Sequence, residues 1–218
     1  MYFYCERIID GPYGEPLNSF TNIFFLIASI LILKDSFKQK ELLLPLIVFF
    51  IGISSFAFHT FPTKLNSSLD VFFIVSFMVV YSYKIYKNKF GFNKIISSTI
   101  TVFFIASSYY LGYYLSTFLI GSSSYYIAIV FHLFLLSYLF KRKQNYNKSS
   151  IYLYYATLVF SISLFFRFLD QIICPYLDTG THFLWHIFNS IVLYLLIKFY
   201  LLTPNRSTPE KPTNANKE

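Results

Sequence analysis

Two histidines open the last long apolar run of this chain, four residues apart. His182 and His186 stand in the segment THFLWH with no charged residue between them. On an α-helix, positions i and i+4 lie on one face with Cβ atoms about 5 to 6 Å apart, so both imidazoles can reach one metal ion. Two packed histidines are the alternative interpretation, although imidazoles in an apolar segment still need polar partners.

A third histidine and a carboxylate extend this candidate site. His59 ends the second apolar run, and Asp70 begins the third after the turn at Pro62. Three histidine nitrogens with an open fourth position are typical of catalytic zinc rather than structural zinc. Asp70 is interpreted either as a general base acting on water or as an acceptor that orients a histidine. Ser55 precedes His59 at the i, i+4 helical spacing, but it can equally bond back to its own helix.

Three other ionisable residues, in or next to the apolar runs, have a structural interpretation. His132 has no partner at a useful spacing and is predicted to be a packed or lipid-edge residue. Arg167 and Asp170, at positions i and i+3 near the outer end of the sixth run, are predicted to form a structural ion pair.

The composition predicts a membrane protein. The 218 residues are 56% hydrophobic and 22% aromatic but only 13% charged, outside the usual range of soluble domains. A bilayer core about 30 Å thick is crossed by about 17 to 25 apolar residues in a helix. We find seven such runs, at residues 17–33, 42–61, 67–83, 95–115, 125–140, 151–169 and 182–202. Because the runs are continuous rather than alternating, they favour an all-α, polytopic seven-transmembrane-helix bundle over a β-barrel.

The basic residues predict the orientation of this bundle. Of the 18 lysines and arginines, Arg7 and Lys64 fall on one predicted side, fifteen fall on the other, and Arg167 lies inside the sixth run. By the positive-inside rule, the N-terminus and the histidines are extracytoplasmic and the C-terminus is cytoplasmic. The charge is therefore explained by topology, and no nucleic-acid partner is predicted.

The chain accordingly divides into three parts. Residues 1–16 form an extracytoplasmic N-terminal segment, and residues 17–202 form the membrane domain. Residues 203–218 are rich in Pro, Asn, Thr and Lys, cannot bury apolar surface, and are predicted to be a disordered cytoplasmic tail. Cys5 and Cys174, the only cysteines, both fall on the outer, oxidising side, where disulfides persist. A disulfide and two free thiols are both possible, because the sequence does not give the distance and orientation of the two side chains.

These motifs together resemble a known superfamily. Ser-x3-His in the second span, Asp at the start of the third and His-x3-His in the seventh are similar to the CREST superfamily of membrane hydrolases. Within it, YCER followed by EPLNSFTN, and GTHFLWH, resemble the alkaline ceramidase family. The resemblance extends from about Cys5 to His186.

The resemblance implies a reaction and roles for the candidate residues. It implies hydrolysis of ceramide or a related N-acyl lipid into a free fatty acid and a sphingoid base or amine. It implies zinc (Zn²⁺) bound by His59, His182 and His186. It further implies that Asp70 handles the protons and that Ser55 helps to hold the developing oxyanion.

The resemblance also implies a calcium (Ca²⁺) site before the first span, with one departure. Animal members carry an Asp-Trp pair before the Cys-Glu, where this chain has Phe3 and Tyr4. Glu6 and Glu15 match ligand positions, and Asp10 is a candidate third carboxylate. Calcium prefers six to eight oxygen ligands, so such a site would also need backbone carbonyls and water.

Two other functional classes remain open. A receptor-like CREST protein with a structural zinc site would be expected to carry a sizeable further domain, and this chain has only short ends. A transporter or scaffold would be expected to show internal repeats or interrupted helices, and neither is apparent. The enzyme is preferred, with a membrane lipid as its substrate and no protein partner predicted. Frequent Lys, Asn, Ile, Phe and Tyr indicate an AT-rich genome, which suggests a bacterial member in the inner or cell membrane.

Overall fold

The computed structural model describes residues 4–7, 9, 11, 13–118, 121–143 and 149–206. Within these residues it is all-helical and contains no strand. The helices are α1 (Pro16–Thr21), α2 (Ile23–Lys38), α3 (Leu43–Thr60), α4 (Lys64–Lys84), α5 (Lys94–Ser116), α6 (Ile127–Lys143), α7 (Ser150–Ile173) and α8 (His182–Leu202). A π-helical turn, Ile85–Lys89, continues α4, and a 3₁₀ turn, Gly121–Tyr126, precedes α6.

Seven helical segments of the described chain are long and apolar enough to cross a bilayer. They are Pro16–Lys38, Leu43–Thr60, Lys64–Lys89, Lys94–Ser116, Gly121–Arg142, Ser150–Ile173 and His182–Leu202. The predicted all-α class and the seven spans are therefore confirmed. Several spans extend beyond the apolar runs, since a helix continues through flanking lysines whose long side chains can carry their charge towards water.

The helices that carry the histidines lie inside the bundle. Helix α8 packs against α7, α2, α1 and α3, and α3 packs against α2, α4 and α1. Of the seven candidate spans, those formed by α3 and α8 have the largest buried share. Polar side chains on their inner faces are therefore shielded from lipid.

A break at Asn22 separates the short helix α1 from α2. The Asn22 side chain donates to the carbonyl of Asn18 at 2.7 Å. At the other end of α1, the Glu6 carboxylate accepts the backbone N–H groups of Leu17 and Asn18 at 2.6 and 2.8 Å. The first N–H groups of a helix have no partner within it, so Glu6 caps α1. The capped helix packs on α3 and α8, next to their histidines.

The first residues of the predicted tail contact the opposite end of the bundle. The buried Lys89 ammonium donates to the Thr203 carbonyl at 2.6 Å and to the Asn205 side chain at 2.7 Å. The Thr203 hydroxyl also donates to Ser149 at 3.0 Å. Residues 207–218, the remainder of that predicted tail, lie outside the described residues.

Candidate metal centre

Three buried histidines converge at one end of the bundle. His59 lies in the last turn of α3, and His182 and His186 lie in the first two turns of α8. The ring centroid of His59 is 5.3 Å from that of His182 and 4.8 Å from that of His186, and the latter two are 4.7 Å apart. One ring nitrogen of each lies within 4.8 Å of the others, so a modest closing of the rings would let the group hold one metal ion.

Two of these rings are oriented by hydrogen bonds on their outer side. Nδ1 of His59 contacts the Glu15 carboxylate, and an ionised carboxylate can only accept a hydrogen bond. Nδ1 of His186 lies 3.0 Å from the Thr21 hydroxyl, which donates its own proton to the Leu17 carbonyl at 2.8 Å. In neutral imidazoles with these contacts, both Nδ1 atoms donate and both Nε2 atoms keep a free lone pair. This is the arrangement found around histidines that bind metals, so the donor set fits a metal ion.

Glu15 connects the N-terminal segment to His59. Its carboxylate is paired with the Arg7 guanidinium and accepts from the Asn18 side chain at 3.0 Å. Arg7 also donates to the backbone carbonyl of His59 at 2.8 Å. Burial by itself would raise the pKa of Glu15, but hydrogen bonds from His59 and Asn18 and the charge of Arg7 lower that pKa below its ordinary value. Glu15 therefore remains an ionised acceptor for the His59 ring.

The same contacts bear on the predicted calcium site. Glu6 uses both oxygens to cap α1, and Glu15 is paired with Arg7. Asp10 lies outside the described residues. The guanidinium already supplies the positive charge that a calcium ion would bring to Glu15, and calcium needs six to eight oxygens. The described residues therefore fit calcium poorly, and the calcium site stays a prediction.

Asp70 and Ser55 line the same cavity as the three histidines. Asp70 lies in the second turn of α4, within electrostatic range of His59 and Arg167 and close to the Ser55 side chain. Its Oδ1 atom is buried and has no hydrogen-bond partner among the described residues. Buried carboxylate oxygens are normally hydrogen-bonded, so this one is available to a group that enters the cavity.

The cavity extends from the histidines towards the middle of the bundle. It has a volume of about 980 Å³, within the range of small-molecule sites. Its walls are mainly apolar and come from α2 to α8, with Tyr4 of the N-terminal segment beside them. Val71 and Val75 of α4 and Val102 of α5 line it and are also among the exposed apolar side chains. These exposures indicate that the cavity opens between α4 and α5.

His132 also lines this cavity but stands apart from the three clustered histidines. Its ring stacks on Phe104 with centroids 3.8 Å apart, and its Nε2 lies 3.3 Å from the Tyr86 hydroxyl. The prediction of a packed histidine is confirmed.

The predicted ion pair between Arg167 and Asp170 is wrong. Asp170 instead accepts three backbone N–H groups, from Cys5 at 3.2 Å, Thr181 at 2.8 Å and His182 at 2.9 Å. Arg167 faces the cavity. The i, i+3 rule considers one helix alone, whereas the unpaired N–H groups at the start of α8 attract the carboxylate more strongly. Asp170 therefore positions the helix that carries two of the histidines.

A disulfide holds the N-terminal segment beside the histidines. Cys5 and Cys174 are joined in the structure, with Cα atoms 5.3 Å apart. Gly180 adjoins this link, and a Cβ atom there would lie 2.5 Å from the Cβ of Cys5. The position also has a φ of 58°, so both space and backbone conformation require glycine. The covalent link keeps Glu6, Arg7 and Glu15 on one side of the cluster.

Fold and site together define the class: a polytopic membrane protein with a buried three-histidine cluster that opens into an apolar cavity. The sequence model of the family described as Ceramidase matches residues 4–216, nearly the whole chain. The chain therefore belongs to the Ceramidase family, as its motifs predicted. No curated protein matches it. Family membership supports a membrane-embedded hydrolase that acts on amide bonds and takes a lipid substrate.

Proposed function

We propose that this protein is a zinc-dependent intramembrane hydrolase. Its reaction is cleavage of the amide of ceramide or a related N-acyl lipid, which releases a free fatty acid and a sphingoid base or amine. The observation that carries the proposal is the cluster of His59, His182 and His186 beside Asp70, in a cavity with mainly apolar walls. Such a cavity suits an acyl chain that stays in the bilayer while its amide reaches the polar end.

The three histidines are the proposed zinc ligands, through the ring nitrogens that face one another. Zinc bound there would supply a Lewis acid that polarises the amide carbonyl and makes water a nucleophile at neutral pH. The Glu15 carboxylate and the Thr21 hydroxyl keep the rings of His59 and His186 in the orientation that presents Nε2.

Asp70 and Ser55 are the proposed catalytic side chains. Asp70 accepts a proton from the attacking water and passes it to the leaving nitrogen. The Ser55 hydroxyl donates a hydrogen bond to the oxygen on which negative charge develops. The apolar walls exclude bulk water, which strengthens both interactions.

The test is metal analysis of the purified protein together with a panel of N-acyl lipids that carry neutral and acidic headgroups. We expect about one zinc ion per chain, as a single three-histidine site requires, and release of fatty acid from at least one lipid. Zinc without hydrolysis across the panel would favour a receptor with a structural metal site. The absence of both zinc and hydrolysis would contradict the proposal entirely.

We also propose that the N-terminus and the histidine cluster lie on the extracytoplasmic side and the C-terminus in the cytoplasm. The support is the uneven distribution of lysine and arginine between the two ends of the spans. Cysteine introduced at Lys38 or Lys87 is expected to react with a membrane-impermeant thiol reagent only from the cytoplasmic side. Reaction from outside at either position would reverse the orientation and move the site to the other face.

A further inference from the structure

Arg167 is a cation inside the cavity that has no carboxylate partner in the described part of the chain. No carboxylate oxygen of the described residues lies within 4.0 Å of its side-chain nitrogens. The guanidinium is surrounded by aromatic rings, with its carbon 5.8 Å from the ring centre of Tyr4, 5.1 Å from Tyr126 and 4.9 Å from Trp185. Nη2 donates to Ser122 at 3.1 Å.

These contacts leave the guanidinium incompletely satisfied. It has five N–H donors, and the Nε donor is buried without a partner among the described residues. Contacts with aromatic faces stabilise a cation by about 0.5 to 2 kcal/mol, less than the cost of burying it without a counter-ion. Arginine pairs best with carboxylate and phosphate groups, because its planar fork donates two parallel hydrogen bonds to them.

Arg167 lies close to the end of the cavity where the histidines cluster. Its Nη1 lies 3.5 Å from Nδ1 of His182, which is too long for a strong hydrogen bond but places the guanidinium beside that ring. Asp70, the nearest candidate counter-ion, is within electrostatic range yet beyond salt-bridge distance. An anion held by Arg167 would therefore lie close to an amide held at the histidines.

We infer that Arg167 binds an anionic headgroup of the substrate, so that the preferred lipids are N-acyl lipids with a carboxylate or phosphate a few bonds from the amide. This inference rests on the proposed hydrolase function and narrows its substrate class. A neutral headgroup would leave the guanidinium donors unpaired, and sites built around buried polar groups discriminate strongly against ligands that leave them unpaired.

The experiment compares matched substrates that share the same acyl amide and differ in whether the headgroup carries an anionic group. N-palmitoylserine and its methyl ester form one pair, and ceramide 1-phosphate and ceramide form the other. We expect the wild-type protein to favour the acid in at least one pair, and the larger preference identifies carboxylate or phosphate as the headgroup. In Arg167→Gln the acid-to-neutral ratio of kcat/KM should fall by about 100-fold, mainly through KM. That is the scale of two lost hydrogen bonds to a charged group.

Arg167→Lys is the conservative variant and should recover part of the preference, since it keeps the charge but loses the fork. Equal losses on acid and neutral substrates in Arg167→Gln would show a catalytic or structural role and overturn the inference. Equal and measurable wild-type rates on both members of each pair would also overturn it. Zinc content and Tm of each variant serve as the folding control.

A measurement without turnover separates this inference from the proposed function. Binding of a ligand to the folded state raises Tm. N-palmitoylserine should raise the Tm of the wild-type protein by more than its methyl ester does, or ceramide 1-phosphate by more than ceramide, and this difference should disappear in Arg167→Gln. If the wild-type protein hydrolyses no lipid but shows this difference, the anion site stands and the hydrolase proposal fails. Equal shifts from both members of each pair would contradict the anion site.

Discussion

Replacing Asp70 with asparagine is expected to lower amide hydrolysis by about 100-fold or more, the usual scale for removing a general base. Asparagine has nearly the same volume and can still hydrogen-bond near Ser55, but it cannot accept a proton from water. Zinc content and Tm should therefore stay near those of the wild-type protein. The measurement is the initial rate of fatty-acid release at saturating lipid, with zinc measured on the same sample.

The result also distinguishes the two interpretations of Asp70. If the carboxylate only orients a metal-binding histidine, Asp70→Asn should weaken zinc binding by about 10- to 100-fold and excess zinc should restore activity. Asp35→Asn is a matched control. Asp35 of α2 is paired with Lys198 of α8, and it does not line the cavity. Full activity with full zinc occupancy in Asp70→Asn would remove Asp70 from the mechanism.

Replacing His186 with alanine is expected to lower co-purified zinc by about an order of magnitude or more and to abolish measurable hydrolysis. The cluster offers three nitrogens, and two histidine ligands retain zinc poorly compared with three. The Thr21 hydroxyl also loses the ring that it orients. Zinc per chain is measured by elemental analysis after gel filtration.

His132→Ala is the control for this loss. His132 is a half-buried histidine that lines the same cavity, but it stacks on Phe104 and does not belong to the cluster. Its replacement should leave zinc content near the wild-type value even if Tm falls. Undiminished zinc in His186→Ala, or an equal loss in both variants, would contradict the proposed ligand set.

Some features of this protein follow from short stretches of sequence. A helix needs about 20 apolar residues to cross a bilayer, so the seven runs predicted seven spans without any knowledge of packing. The spacing of His182 and His186 determined that both rings share one face of α8, because that relation is local to one helix. The positions of His59 and Asp70 near the turn at Pro62 placed them at the same end of the bundle, which the structure bears out.

The partners of these residues were decided only by the tertiary structure. The sequence offers Glu15 as a candidate calcium ligand but does not show its contacts with His59 and Arg7, which arise because α1 packs against α3. Asp170 was assigned to Arg167, whereas it accepts N–H groups of Cys5 and of the start of α8.

The physical reason is that each of these contacts joins segments far apart in the chain. A carboxylate in a low-dielectric interior pairs with whichever unpaired donors the packed helices bring within hydrogen-bond distance. Residue type and spacing show that Glu15, Arg167 and Asp170 need partners, but helix packing alone determines which ones they meet. For Arg167 no carboxylate of the described chain reaches it, and this makes the substrate its proposed partner.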